Sequence, residues 1–387
     1  MNTFKIIRSI KYKRTLSILL LLVILVFIGS TMACTTYGGK MSGERLEKIT
    51  KSKQYSNGRF HNTYVRNGTM NSFTGVLGKW IFGSEVRSPE NKLPIYEFDF
   101  SILENRSPDS LKVTWNGHSS TIIQIDGKLI LTDPVYSEAA GPYPIVSPKR
   151  FHEESPINAD SLPDIDLVII SHNHYDHLDK KTVLKLVGKV EKFVMPLGVG
   201  AYLENWGIPP NKIVELDWYE NIEIAPNLII TATPSQHFSN RFLNDRNETL
   251  WASWVIAGKQ HRIFFSGDSG YSPDFKSIGE EYGPFDLTML EMGAYGEYWP
   301  DIHMTPEEAV RAHLDLKGNI LHPIHWGTFQ LSFSSWTEPI ERLLKAAGKH
   351  SIVVATPIAG ETTVLDKHIP QSKWWRDSVS LQNQDNE

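Results

Sequence analysis

The chain has a single cysteine, Cys34, among its 387 residues, so no disulfide can close within it. It has no internal repeat with a period of about 20–50 residues, which excludes solenoids and propellers. It has no basic stripe with interleaved aromatics, and a formal charge of −5 argues against a nucleic-acid surface. Acid is also missing from one place: no Asp or Glu precedes Cys34. That stretch carries Lys5, Arg8, Lys11, Lys13 and Arg14, then an apolar run from Leu16 to Ile28, then Gly29 to Ala33. A basic start, an apolar middle and small residues before a cut are the layout of a secretory signal. Removing residues 1–33 takes away five positive charges and no negative one, moving the formal charge from −5 to −10.

A lone cysteine just after such a segment resembles the lipid-attachment cysteine of bacterial lipoproteins, with Ala33 before it in keeping and Thr31 standing where that pattern has Leu. Two alternatives stay open: an uncleaved anchor over Leu16–Ala33, which is long enough to span a bilayer, and ordinary signal cleavage. All three export the rest of the chain, attached to a membrane in the first two cases.

With 41% hydrophobic and 21% charged residues and 11 Trp, the remainder can bury a large core. Residues 35–60 are polar and basic and read as a tether and arm, with a short helix in "SGERLEKITKS" starting at Ser42. Residues 61–107 show no clear period. From Leu111 the texture is strand-rich, with a hairpin turn at Asp126–Gly127. Strands are expected in "DLVIIS", "KFVMPLG", "KIVELD", "NLIITATPSQH", "LWASWVIAG", "HRIFFSGDSG", "PFDLTMLEMG", "NILHPIHWG" and "SIVVATP". Helices are expected in "LDKKTVLKLVGKV", "TPEEAVRAHLDLKG" and "WTEPIERLLKAAGKH". The second has Thr305 as N-cap, Pro306 next, Glu308 three after the cap and Gly318 beyond its end. Strands with hairpins first, then strands alternating with helices, predict two mixed sheets face to face with helices outside, a four-layer αββα sandwich of class α/β. The polar tail after Pro370 is expected to be loose.

The chemistry-bearing residues collect where expected strands end. His172, His174, Asp176 and His177 follow "DLVIIS"; His237 follows "LIITATPSQ"; Asp268 follows "RIFFSG"; His325 lies in "LHPIHWG". Imidazole and carboxylate are good ligands for zinc and similar ions. His172 and His174, one residue apart, point the same way in an extended segment. Asp176 and His177, past a bend, serve a second metal. His237 completes the first site, His325 the second, and a carboxylate such as Asp268 bridges them. Two metals roughly 3.5–4 Å apart hold a bridging water and lower its pKa toward about 7, without any activated serine or cysteine.

On these residues the chain resembles the metallo-β-lactamase superfamily over roughly residues 105–365. Within it, the chain is more similar to the N-acylphosphatidylethanolamine-hydrolysing phospholipase D family and its bacterial relatives. The carrying stretches are "TWNGHSSTIIQIDGKLILTDPVYS", "SHNHYDHLD", "PSQHFSNR", "FFSGDSGY", "HMTPEEAV" and "PIHWGTF", with the arm "SGERLEKITKSKQY". The resemblance implies two zinc ions per chain, one on His172, His174 and His237, the other on Asp176, His177 and His325, with Asp268 between them. It implies a catalytic role beside the substrate phosphate for His303, counted with Asp176; the bland reading of His303 is a surface residue flanking a helix. Asp133 in "LTDP" matches a carboxylate that orients a ligand imidazole, against a plain turn Asp before Pro134. His118 either lines the site or braces the sheet, and His322 is read as structural. Tyr295, Tyr298 and Trp299 either wall a cleft for acyl chains or belong to the core.

The expected layout is a signal or anchor over 1–33, a tether and arm over 34–105, a hydrolase domain over 106–368 and a tail over 369–387. The expected function is a phospholipase D-type phosphodiesterase that acts on a phospholipid through a metal-bridging hydroxide. The alternatives are a lactonase or other small-molecule ester hydrolase on the same site, and a non-catalytic metal-binding lipoprotein. No nucleic-acid partner is expected, and the resemblance implies a homodimer.

Overall fold

The computed structural model describes residues 20, 39, 41–64, 73–104, 106–242 and 244–378. Cys34 and, apart from Leu20, the signal-like segment lie outside the described residues. Among the described residues no helix is long and apolar enough to cross a membrane.

The arm contributes α1 (Gly43–Lys51), the two-residue strands β1 (Tyr55–Ser56) and β2 (Arg59–Phe60), α2 (Phe73–Phe82) and α3 (Ser101–Glu104). Then come β3 (Lys112–Trp115), β4 (Thr121–Ile125), β5 (Lys128–Thr132), β6 (Ile165–Ile169), α4 (Lys180–Leu186), β7 (Val190–Pro196), α5 (Gly200–Asn205) and β8 (Ile213–Leu216). The second half holds β9 (Asn221–Ala225), β10 (Leu228–Thr233), β11 (Ser253–Ala257), β12 (Arg262–Phe265), α6 (Asp274–Glu281), β13 (Phe285–Glu291), α7 (Pro306–Asp315), β14 (Gly318–Ile324), α8 (Glu338–Gly348), β15 (Val353–Val354) and β16 (Thr362–Val364).

Side-chain alternation decides the layers. Ile123, Ile130, Leu167 and Ile169 point to one face of their sheet and meet Ile230, Trp254, Ile263 and Leu287 in a single core. Their chain neighbours Ile122, Leu129, Leu131 and Val168 point to the other face and pack on Val183, Leu186 and Tyr202 of α4 and α5. On the second sheet Val255 and Phe264 turn outward onto Phe275, Val310 and Leu343 of α6, α7 and α8. A period of two with both faces apolar yields a sheet covered on both sides. The result is the expected four-layer αββα sandwich of two mixed sheets.

The sheet orders are β16-β3-β4-β5-β6-β7-β8 and β15-β14-β13-β12-β11-β10-β9. In each, one half is antiparallel and the other parallel. The β4–β5 hairpin turns at Asp126 and Gly127, both with positive φ, as a two-residue turn requires. Helix α7 starts in a complete capping box: Glu308 N–H donates to Thr305 Oγ1, and Thr305 N–H donates to Glu308 Oε2. Helix α1 lacks the expected cap, since Ser42 makes no side-chain hydrogen bond to it. It is pinned instead by Arg45, which pairs with Glu204 at 2.6 Å and Glu215 at 2.5 Å on the main domain.

The features that differ from the sequence reading include the short strands β1 and β2 and the helix α6, none of which was expected. Strands β9 and β16 were not anticipated; β9 is a half-exposed edge and β16 has three residues, too few to display a period. β16 carries the chain back to the first sheet, beside β3. Of the tail expected to be loose, the described residues 371–378 are anchored: Trp374 and Trp375 are buried, and Trp326 lies 5.4 Å and 5.5 Å from them. The polar average of that tail conceals two indoles that supply its anchorage.

Candidate metal centre

The strand ends converge along one rim of the sandwich. His118 lies in the β3–β4 turn, Asp133 follows β5, residues 171–177 follow β6, His237 follows β10, Asp268 follows β12, and His325 follows β14. His303 precedes α7 in the loop leaving β13. Donor atoms of His172, His174, His237 and Asp268 all lie within 4.8 Å of one another, and so do those of His118, Asp176, His177 and His325. A third grouping joins Asp268 and His325 to His303. All seven residues expected to bind metal are thus brought together. Asp268 touches both sets: its oxygens lie 3.2 Å from His177 Nε2, 3.2 Å from His325 Nε2, 3.7 Å from His237 Nε2 and 3.8 Å from His172 Nε2.

What surrounds each imidazole decides which nitrogen faces inward. His177 Nδ1–H donates to Asp133 Oδ2 at 2.7 Å, and His237 Nδ1–H donates to the Ile302 carbonyl at 2.8 Å. His172 Nδ1 lies 2.9 Å from Ser171 Oγ, which itself donates to Asp133 Oδ2 at 2.5 Å. With Nδ1 engaged outward, the lone pairs of Nε2 turn into the cluster. There His172 Nε2 lies 2.7 Å, and His237 Nε2 3.2 Å, from His174 Nδ1. Nitrogens so arranged repel unless a proton or a metal cation lies between them. His177 Nε2, His325 Nε2 and Asp268 Oδ1 are buried and, among the described residues, have no hydrogen-bond partner. The donor set therefore fits metal ions: imidazole and carboxylate suit zinc and its neighbours.

The electrostatics agree. Burial holds His172 and His237 well below the ordinary imidazole range, with the facing imidazoles adding to the effect, and it brings His174 down to about 4 and His118 to about 3. Neutral imidazole is the ligating form. Burial opposes ionisation of Asp176 and Asp268, but His177 and its neighbours outweigh it and hold both carboxyls well below their usual range. Burial likewise opposes a charged His325, yet Asp268 and Asp176 raise it to about 10; His177 is driven up in the same way. The carboxylates thus demand positive charge. A divalent cation held there would meet that demand with neutral imidazoles and would displace the protons.

Three of these residues hold positive φ without being glycine: His118 at 55°, Asp133 at 35° and His325 at 62°. Such backbone costs on the order of 1–3 kcal/mol per residue and collects at functional sites. Local bonds hold it here: the His118 carbonyl accepts from His325 N–H at 3.1 Å and Trp115 Nε1 at 2.9 Å, and the Asp133 carbonyl accepts from Ser120 Oγ at 2.7 Å.

A Beta-lactamase superfamily domain matches residues 128–326. The chain belongs to that superfamily. Among its β-lactamase superfamily relatives is an uncharacterised protein of Mycobacterium tuberculosis, 49% identical over 69% of this chain and 72% of its own length. An N-acyl-phosphatidylethanolamine-hydrolyzing phospholipase D of Caenorhabditis elegans is 32% identical over 78% of this chain and 88% of its own. A metallo hydrolase of Ignicoccus hospitalis shares the fold at TM-score 0.50 and 23% identity, covering 67% of this chain and 100% of that one. As a superfamily member, the chain is a metal-dependent hydrolase whose His/Asp clusters are able to bind metal ions.

The remaining candidates divide. His118 sits inside the cluster rather than in the sheet, with Nε2 3.1 Å from Asp176 Oδ2. His303 comes to the rim, its ring 5.0 Å from that of His237 and 5.3 Å from that of His325. His322 is buried on β14, away from the donor sets. Tyr295 is not brought to the cluster: its hydroxyl donates to Glu338 at 2.9 Å, under the Arg342 guanidinium. Trp299 packs on Phe333 at 5.6 Å with Tyr298 beside it. Sequence reasoning missed Ser171 as the link between Asp133 and His172. It also missed Asn62, an arm residue that bonds both the backbone N–H and the carbonyl of His237. Ser171 stands in the histidine-rich stretch but outside its donor pattern, and no period or motif marks Asn62; both are polar groups in loops until the fold brings them to a ligand.

Proposed function

We propose that the chain is a dinuclear zinc phosphodiesterase of the phospholipase D type, acting on N-acylphosphatidylethanolamine-like glycerophospholipids. The observation that carries this reading is the place of His303: it stands against both donor sets at once, through His237 and His325. A phosphoryl group held at the cluster then meets an additional imidazole, which lactone chemistry does not require. The Caenorhabditis elegans relative and a Saccharomyces cerevisiae relative, 34% identical over 59% of this chain and 50% of its own, are named for this hydrolysis.

In this reading His172, His174 and His237 would hold one zinc, Asp176, His177 and His325 would hold the other, and Asp268, which touches both sets, would serve both. Bound zinc supplies Lewis acidity and lowers the pKa of water at the cluster. Asp133, Ser171 and the Ile302 carbonyl keep the ligand imidazoles aimed inward. His118 holds the Asp176 carboxylate from behind. His303 donates a proton to a phosphoryl oxygen or to the departing alkoxide. Beside Tyr175, a cavity of about 190 Å³ offers the aromatic wall of Tyr143 together with charged groups of both signs, Lys180, Lys181 and Arg241 against Glu138 and Asp179, which suits a polar headgroup. The site is exported and membrane-attached, through lipid on Cys34 or through Leu16–Ala33; intact-mass measurement of the membrane-extracted protein reports which.

The test offers purified protein N-acylphosphatidylethanolamine vesicles beside a panel of lactones. Release of the N-acylethanolamine with phosphatidic acid is the expected result. Hydrolysis of lactones alone overturns the reading in favour of a small-molecule esterase.

A further inference from the structure

Glu291 ends β13, is fully buried, and belongs to neither donor set. A buried carboxylate is expensive unless its contacts compensate. Among the described residues its Oε2 has no hydrogen-bond partner, and its polar contacts run to the rim that carries the donor sets. Its backbone N–H donates to Ser266 Oγ at 3.0 Å, two residues before Asp268. Its Oε1 accepts the Met304 N–H at 2.7 Å, and His303 Nδ1 lies 3.4 Å from the same oxygen. Two successive residues of the loop leaving β13 therefore converge on one oxygen fixed to a central strand. The arrangement repeats what Asp133 does for His177 Nδ1 on the first sheet.

We infer that Glu291 is a positioning residue for His303: Oε1 takes the Nδ1–H, so that in the imidazolium form the Nε2–H, on the opposite side of the ring, is the proton presented to the substrate. A ring nitrogen of His303 already lies within 4.8 Å of donor atoms of Asp268 and His325. The 3.4 Å separation is longer than a formed hydrogen bond, and contacts of this kind tighten when substrate binds. Without the carboxylate the imidazole is free to rotate or to exchange tautomers, and the nitrogen presented to a phosphoryl oxygen is no longer specified.

The inference rests on the phosphodiesterase reading for its kinetic arm alone; its spectroscopic arm is independent of any substrate. Zinc-loaded protein with ¹⁵N-labelled histidine is compared as wild type, Glu291→Leu and Glu291→Gln, with His303→Gln to assign the signal. Wild type is expected to show His303 with hydrogen on Nδ1. Glu291→Leu shifts that signal toward an unprotonated Nδ1, while Glu291→Gln, which keeps one oxygen for both donors, retains it. On N-acylphosphatidylethanolamine, Glu291→Leu lowers kcat roughly 10- to 100-fold, the range for partners that orient a functional imidazole, with KM within about twofold. Glu291→Gln recovers most of that loss. A bare His303 Nδ1 in wild type, a measurement that stands even if Glu291→Leu does not fold, overturns the inference. So does a Glu291→Leu variant with the wild-type signal or wild-type kcat. Wild type inactive on the lipid but with the expected signal sinks the substrate reading and leaves the positioning role standing.

Discussion

The Asp133 carboxylate reaches both donor sets from beneath: it accepts His177 Nδ1–H directly at 2.7 Å, and it accepts Ser171 Oγ–H at 2.5 Å, whose oxygen lies 2.9 Å from His172 Nδ1. One residue therefore sets the orientation of a ligand in each set. Asp133→Ala is expected to weaken metal binding roughly 10- to 100-fold and to lower activity in parallel. Titration with a competing chelator measures the first. Unchanged affinity would mean that the two imidazoles are held by packing alone.

Gly267 tests the same link from the other sheet. Its φ is +53°, and a Cβ built on it would lie 2.4 Å from Ser171 Cβ and 2.9 Å from Ser171 Oγ. Neither sheet can yield without moving a ligand, because Ser171 precedes His172 and Gly267 precedes Asp268. Gly267→Ala should destabilise the protein by more than the ~1 kcal/mol of an ordinary exposed glycine change and reduce bound metal. Thermal unfolding and metal analysis check both; a variant with wild-type Tm and full metal would show that the two loops are not in close contact.

Acid should destabilise the fold through histidines outside the two donor sets. Burial lowers His152 to about 3, with Arg150 and Lys92 adding to it, and lowers His313 and His322 to about 4. In the unfolded chain each titrates near 6.5. Between those values the unfolded state binds more protons, so stability is full above about pH 6.5 and falls as pH drops toward 4. The slope approaches about 1.4 kcal/mol per pH unit for each such group. Urea unfolding at pH 7 and pH 5 measures it, and His152→Leu should lose less stability between the two than wild type does. Equal losses would mean that His152 takes up its proton without unfolding.

Much of this was legible in the sequence because it is local. Asp126–Gly127, the Thr305–Glu308 box and the alternation of "TIIQI" and "KLILT" report on their own neighbourhoods, and the layers follow from them. The ligands were legible because H-x-H-x-D-H packs four donors behind one apolar strand, which made His237, Asp268 and His325 meaningful at later strand ends. Partners made by the sandwich itself were not legible. Ser171 gains its role from Asp133 on a neighbouring strand, Asn62 from an arm with no period, and Glu291 from a loop that returns to it a dozen residues later. Tyr295 stayed open between cleft and core because an aromatic residue in a rim loop reads alike whether it faces a cleft or, as here, Glu338 and Arg342. Trp374 and Trp375 were hidden by the polarity of their surroundings.

The central claim is that the two donor sets hold metal that the reaction requires. The most direct test is metal content and N-acylphosphatidylethanolamine hydrolysis measured on the same samples of wild type and His172→Ala. The account predicts two zinc ions per wild-type chain. In His172→Ala it predicts loss of about one ion and a fall in activity of more than about 100-fold, beyond what losing an orienting partner costs. A His172→Ala protein, or a chelator-stripped wild type, that still turns over lipid at the wild-type rate would contradict it.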